Sequence, residues 1–360
     1  MKVNLKQVES GCIVAKDVDG LTDFPIIREN TVLTPELLNV LNVFLIKTVE
    51  VQSIKANGEK YIPTELKEED VLPKQPLIEK NFSNDYMNAV KEYKKLFQSW
   101  QAGNKVEMLN VRKILSPLFD SVVEQPHELV NLHHLSTKED YLFHHSVYVG
   151  ILSFYLGLKM DYKQGDYFQI GYAGVLADAG MAKIAPSILQ KTGSLTAIEF
   201  DEIKKHPIYA YNMLKKVTGI SDSILLAVLQ HHERHDGSGY PLSTESSKIH
   251  PFSQIVAVAD VYHAMTSERF YRSKRSPYQV IEDISKGQFG KFDLKTIQAL
   301  VENIIPVSVG NRVLLSNSET AEIVFYNESN PTRPMVKLDS TAEIINLVQH
   351  AELFINEVIN

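Results

Sequence analysis

The sequence predicts a mainly helical protein, with a small mixed module ahead of a helical core and a short β-rich piece behind it. Three observations carry that prediction. Tyr86, Val90, Tyr93, Phe97 and Trp100 recur four and three apart on one stripe, and Val111, Leu115, Leu118 and Val122 repeat the spacing on another. Eleven of the 12 histidines fall between His127 and His263, several beside aspartates in apolar helical stretches, which concentrates the chemistry in the middle of the chain. Short apolar runs separated by polar turns, Val313 to Leu315, Glu322 to Tyr326 and Pro334 to Leu338, read as strands near the C-terminus.

Taken in order, residues 1–65 alternate apolar runs with turns and form a small α/β domain. Thr34-Pro35-Glu36-Leu37 supplies a helix cap followed by proline at the first helical position, and Lys47 to Ser53 is strand-like. Residues 66–125 hold a charged linker, Glu65 to Lys74, and then the two amphipathic helices, whose stripes either pack within their own domain or serve a helical dimer contact. Residues 126–303 form the core and 304–360 the β-rich appendage.

At 360 residues the chain allows two or three domains, and 44% hydrophobic with 22% charged residues is ordinary globular composition. No apolar run approaches the roughly 18 residues that span a bilayer, and Met1-Lys2-Val3-Asn4-Leu5-Lys6 lacks a signal peptide's apolar stretch, so no membrane association and a cytoplasmic location are expected. The single cysteine, Cys12, fits that compartment. A net charge of -7 argues against a general nucleic-acid binder, because polymer affinity comes mainly from lysine and arginine.

The most informative segment is His231-His232-Glu233-Arg234-His235-Asp236-Gly237-Ser238-Gly239-Tyr240-Pro241. Two imidazoles close an apolar helix, and Gly237, Gly239 and Pro241 stop it and let backbone approach a ligand. An isolated His-His pair more often caps the last carbonyls of a helix; the surrounding histidines and aspartates favour a metal and phosphate site. Asp178 and Asp260 are single carboxylates in apolar surroundings, costly to bury unless a cation or several donors compensate. Arg269, Arg272, Lys274 and Arg275, interleaved with Phe270 and Tyr271, give local positive charge suited to phosphate oxygens, or else form a solvated helix end.

This segment matches every fixed position of His-His-Glu-x-x-Asp-Gly-x-Gly-Tyr-Pro, the signature of the HD-GYP family of metal-dependent phosphohydrolases, and the resemblance extends over roughly residues 130 to 300. It implies an HD-domain helical core with His145, Asp178, His206, His231, His232 and Asp260 as metal ligands, Asp178 bridging two ions and central to catalysis. It further implies one or two divalent transition ions, iron or manganese, and cyclic di-GMP as substrate, hydrolysed by a metal-activated water. Arg269 and Arg272 would hold its phosphates, and Gly237, Gly239, Tyr240 and Pro241 would shape the pocket. The chain departs from the family in three places. Ala177 stands where the family has the histidine of its His-Asp pair, Met181 where it has a lysine, and His263 where it commonly has aspartate. His263, three residues after Asp260, or His144 beside His145 is a candidate substitute ligand, and Lys183 a candidate for the lost lysine charge. The expectation is therefore a phosphodiesterase of reduced activity. The alternative is a cyclic di-GMP receptor or scaffold, with a protein partner at the Gly-Tyr-Pro loop and a homodimer as further expectations.

Overall fold

The computed structural model describes residues 1–19, 25–43, 46, 48–61, 63, 82–268, 274–287, 290–304, 308–326 and 330–359. The charged stretch Glu65 to Lys74 and the arginines Arg269 and Arg272 lie outside them. The chain divides into two compact units, residues 1–91 and 92–360.

In the first unit, β1 (Lys2–Asn4) pairs antiparallel with β4 (Thr48–Glu50), and β2 (Val18–Asp19) with β3 (Pro25–Ile27). The strand-like Lys47 to Ser53 thus contributes a three-residue strand. Helix α1 (Pro35–Val43) starts where Thr34 and Pro35 place it, the Thr34 hydroxyl accepting from Leu37 N. Val3, Val14, Leu33, Leu41, Val49, Val51 and Tyr61 form its core.

Helix α2 (Phe82–Gln101) leads into the second unit and is separated by a turn through Gly103, at φ +95°, from α3 (Met108–Glu124). Both stripes predicted from spacing are at most 2% exposed, so they are spent inside the fold. After α4 (Glu128–Asn131) come α5 (Tyr141–Lys159) and α6 (Gln164–Leu176), which pack on each other as the centre of the unit. Helix α2 fastens the places from which the site residues emerge. Tyr93 Oη donates to the Val175 carbonyl at 3.0 Å near the end of α6, while Lys94 pairs with Asp140 at 3.1 Å and Phe97 meets Phe143 edge-on at the start of α5.

Beyond α6 a tight 3₁₀ turn, Ala179–Lys183, leads to the short α7 (Pro186–Leu189) and to α8 (Ala197–Ile203), which opens on a Thr196–Glu199 capping box. Then follow α9 (His206–Leu214), α10 (Asp222–Gln230) and α11 (Pro251–Thr266). Ser221 caps α10 by accepting from Ile224 N, and His250 caps α11 by accepting from Phe252 N. Helices α12 (Pro277–Gly287) and α13 (Leu294–Ile304) close the helical part. No helix among the described residues is long and apolar enough to cross a membrane.

The C-terminal segment forms an antiparallel sheet of β5 (Arg312–Leu315), β6 (Thr320–Phe325), β7 (Met335–Leu338), β8 (Ile344–Asn346) and β9 (Ile355–Ile359), in the order β8-β7-β6-β5-β9. The three strands read from the sequence are its middle; β8 and β9 complete both edges. Tyr278 of α12 joins the sheet's core, and Arg333 bonds Glu282 of α12 while donating to the carbonyls of Leu347, His350 and Leu353.

One close approach positions the centre. Gly180, in the turn after Asp178, lies so near the start of α9 that a Cβ there would overlap the His206 carbonyl oxygen and crowd Ala210 N. Gly180→Ala must therefore push the turn away from α9, and with it Asp178 from His206. We expect a loss of about 1–3 kcal/mol in urea denaturation, the usual cost of overpacking, together with weaker metal retention; wild-type stability with full metal retention would show that the turn yields freely.

Candidate metal centre

Six of the residues singled out from the sequence converge. Asp178 leaves the end of α6, His206 opens α9, His231 and His232 follow α10, and His145 and Asp260 lie within α5 and α11. Asp178, His206, His231 and His232 each offer a ligand atom, all within 4.8 Å of one another. His145 Nε2 lies 2.9 Å from Asp260 Oδ1 and 3.6 Å from Asp178 Oδ2, and His232 Nδ1 lies 3.7 Å from Asp260 Oδ2.

Backbone carbonyls set the tautomers of two of these histidines. His206 Nδ1 lies 2.8 Å from the Ile203 carbonyl and His231 Nδ1 2.7 Å from that of Val228; a carbonyl only accepts, so both Nδ1 atoms carry the proton. Both Nε2 lone pairs then point inward, and they are only 3.2 Å apart. Asp178 Oδ1, buried and without a hydrogen-bond partner, sits 3.1 Å from one and 3.9 Å from the other. Three acceptors facing one another repel unless a cation lies among them. The residues present therefore fit a divalent transition ion, with borderline nitrogen donors and one hard oxygen.

The electrostatics agree. Burial raises the Asp178 carboxyl, and the imidazoles around it, His206 first and then His145 and His231, outweigh burial and hold it well below the usual carboxylate range. Asp260 is held low in the same way, against burial, chiefly by His145. Burial first, and the neighbouring His206 next, push His231 down to about 4, and burial with His231 and His206 lowers His232 well below its ordinary value. Near neutral pH these two are uncharged, the form that ligates metals.

The glycine-rich loop closes one side. Gly237 takes φ +75° with open space where a Cβ would lie, and a Cβ on Gly239 would overlap the backbone of Glu233 and Arg234, so the turn needs the first glycine and the loop's own packing the second. The Glu233 carboxylate accepts from Leu242 N at 2.7 Å and Thr244 N at 2.9 Å. Gly237 N bonds the Arg234 carbonyl, Ser238 N the Asp236 carboxylate, and Tyr240 N the His232 carbonyl. The Tyr240 ring stacks on His232 with centroids 4.6 Å apart, and the Tyr240–Pro241 peptide is cis.

The proposed substitutes are differently placed. His263 lies with Nδ1 3.0 Å from Nδ1 of His145, on the far side of that ring from the nitrogen facing the carboxylates, so it meets the His145 ring and not the space among the carboxylates. Spacing from Asp260 gave its face correctly and its neighbour not at all. Lys183 Nζ donates to the Trp100 carbonyl at 3.1 Å, which removes it as a stand-in for the lysine missing at Met181. His144 is fully buried within α5, and burial pushes it down to about 3. The side chain of Ala177, at the end of α6, offers nothing to a metal.

Residues 125–295 match the HD-domain family model. Cyclic di-GMP phosphodiesterase PA4108 of Pseudomonas aeruginosa is 28% identical over 243 residues, 68% of this chain and 58% of that protein. Cyclic di-GMP phosphodiesterase PdeB of Borreliella burgdorferi is 30% identical over 192 residues, 53% of this chain and 50% of its own length. The chain thus spans little more than half the length of these curated relatives. Among solved structures, Bd1817, an HDG"Y"P protein from Bdellovibrio bacteriovorus, gives a TM-score of 0.48 at 14% identity, covering 83% of this chain and 97% of that one. The region that matches the HD-domain model encloses both the convergent histidines and the complete His-His-Glu to Gly-Tyr-Pro loop.

Proposed function

We propose that the protein is a metal-dependent phosphodiesterase acting on cyclic di-GMP. The observation that carries this reading is the pair of inward Nε2 lone pairs of His206 and His231 beside the unpartnered Asp178 Oδ1. A bound divalent ion, iron or manganese, supplies Lewis acidity and makes water a nucleophile near neutral pH. The chain's own residues do the rest. The Ile203 and Val228 carbonyls hold His206 and His231 in the ligating tautomer, so their placement costs little at the moment of binding. Asp178, with one oxygen toward His206 and the other toward His145, is placed to serve both halves of the site. Tyr240, fixed on His232, offers an aromatic edge beside the ion's position, and with Gly237, Gly239 and Pro241 it shapes the substrate side. Arg269 and Arg272, from the basic stretch after α11, are assigned to the substrate phosphates. The relatives named as cyclic di-GMP phosphodiesterases support this substrate.

A second reading, a cyclic di-GMP receptor without turnover, is favoured by Ala177, Met181 and the engagement of Lys183 with Trp100. It keeps the pocket and loses part of the machinery that offsets charge on the phosphoryl group.

Two measurements decide. His231→Ala should strip manganese from purified protein while His145→Ala leaves most of it, read by elemental analysis after desalting; the reverse order would place the ion elsewhere. Ala177→His with Met181→Lys should raise cyclic di-GMP hydrolysis at least tenfold, since one added ligand or charge acting on the transition state is worth roughly that factor or more. Unchanged turnover at full metal loading, with calorimetric binding of cyclic di-GMP intact, is the result expected of the receptor.

A further inference from the structure

The two halves of the centre differ in how their histidines are held. Nδ1 of His206 and of His231 each face a backbone carbonyl, but Nδ1 of His145 faces His263 Nδ1 at 3.0 Å and the Tyr141 hydroxyl at 3.1 Å. An imidazole and a hydroxyl both donate and accept, so neither forces the proton onto Nδ1 of His145. On the other side of the ring, Nε2 lies 2.9 Å from Asp260 Oδ1, and an ionised carboxylate only accepts. That contact puts the proton on Nε2, the atom a metal would need bare.

The neighbours complete the chain of donors. His263 is fully buried and packs on Tyr148 with ring centroids 4.5 Å apart, and Ser267 Oγ lies 3.2 Å from its Nε2 and 3.3 Å from its Nδ1. A continuous relay follows: Ser267 Oγ–H donates to His263 Nε2, His263 Nδ1–H to His145 Nδ1, and His145 Nε2–H to Asp260 Oδ1. A carboxylate at position 263 could only accept from His145 Nδ1–H, which would leave Nε2 bare and turned to an ion. Histidine there permits the opposite tautomer, and alanine at 177 removes a donor from the same position.

We propose that this second metal position is closed by the Ser267–His263–His145–Asp260 relay, so that the centre takes a single ion, held by Asp178, His206, His231 and His232. The proposal deepens the metal-centre reading and rests on it. Ala177 and His263 then act as one coupled change, and His145 is a positioning residue for Asp260 and not a ligand.

The test uses the full chain, depleted of metal and titrated with manganese. Elemental analysis after desalting should give one ion per chain at saturation, and two for Ala177→His combined with His263→Asp. Two tightly held ions in the wild type would overturn the proposal. No ion at all would overturn the metal-centre reading, and the second arm then still decides the relay. In metal-free protein with ¹⁵N-labelled histidine, long-range nitrogen–proton spectra should show His145 protonated on Nε2, and His263→Asp should move that proton to Nδ1. His145 protonated on Nδ1 alone in the wild type sinks the relay whatever the ion count. Because His263→Asp leaves position 177 untouched, it gives this answer even where the double variant fails to fold.

Discussion

A carboxylate oxygen and two imidazole nitrogens, all acceptors, share one buried space at Asp178, His206 and His231. Their mutual repulsion is the constraint on which the surrounding architecture depends. Left alone it would drive these groups apart, and the chain opposes it with fixed carbonyl partners for both rings, the Gly180 turn pressed on α9, and α2 clamped to the end of α6 through Tyr93. The fold thus holds an arrangement that is unfavourable without a cation and favourable with one. Metal binding and local stability are consequently one quantity in this part of the molecule.

The core helices and most of the site were legible before any coordinates. Period and spacing put Tyr86 to Trp100 and Val111 to Val122 on buried faces, and the resemblance to the HD-GYP signature named the six residues that converge. What stayed hidden has a physical reason in each case. Strand β8 has only three residues and β9 carries Asn356 and Glu357 within it, and they gain their order from pairing with β7 and β5, which no local pattern records. Lys183 could be placed near Met181 by sequence, but the carbonyl it bonds belongs to Trp100, 83 residues away. His263 was placed on the face of Asp260 and offered as a substitute ligand; periodicity fixes that direction and says nothing of the neighbouring helix, from which His145 meets it.

Asp260 shows how one residue type serves two chemistries. In the sequence it is a lone carboxylate in an apolar helix, which calls for compensation. In the structure His145 supplies much of it, holding the carboxyl low against burial. A hydrogen bond and a metal ion are alternative answers to the same electrostatic demand, and single changes at neighbouring positions tip the choice. Divergence at Ala177 and His263 is then compatible with an intact core, since no charge is left stranded.

The Gly-Tyr-Pro loop spends most of its amides on itself. The amides of Gly237, Ser238, Tyr240, Leu242 and Thr244 are each bonded within the segment, and Pro241 has none to give. The loop is therefore not an anion nest of the kind that grips phosphate through a row of free N–H groups. What it offers outward is relief: a ridge crowned by the Tyr240 ring, which is itself stacked on His232. On the function proposed above, this rim would meet a nucleotide through its contour and the Tyr240 ring, and the bonded amides would add little grip on its charges.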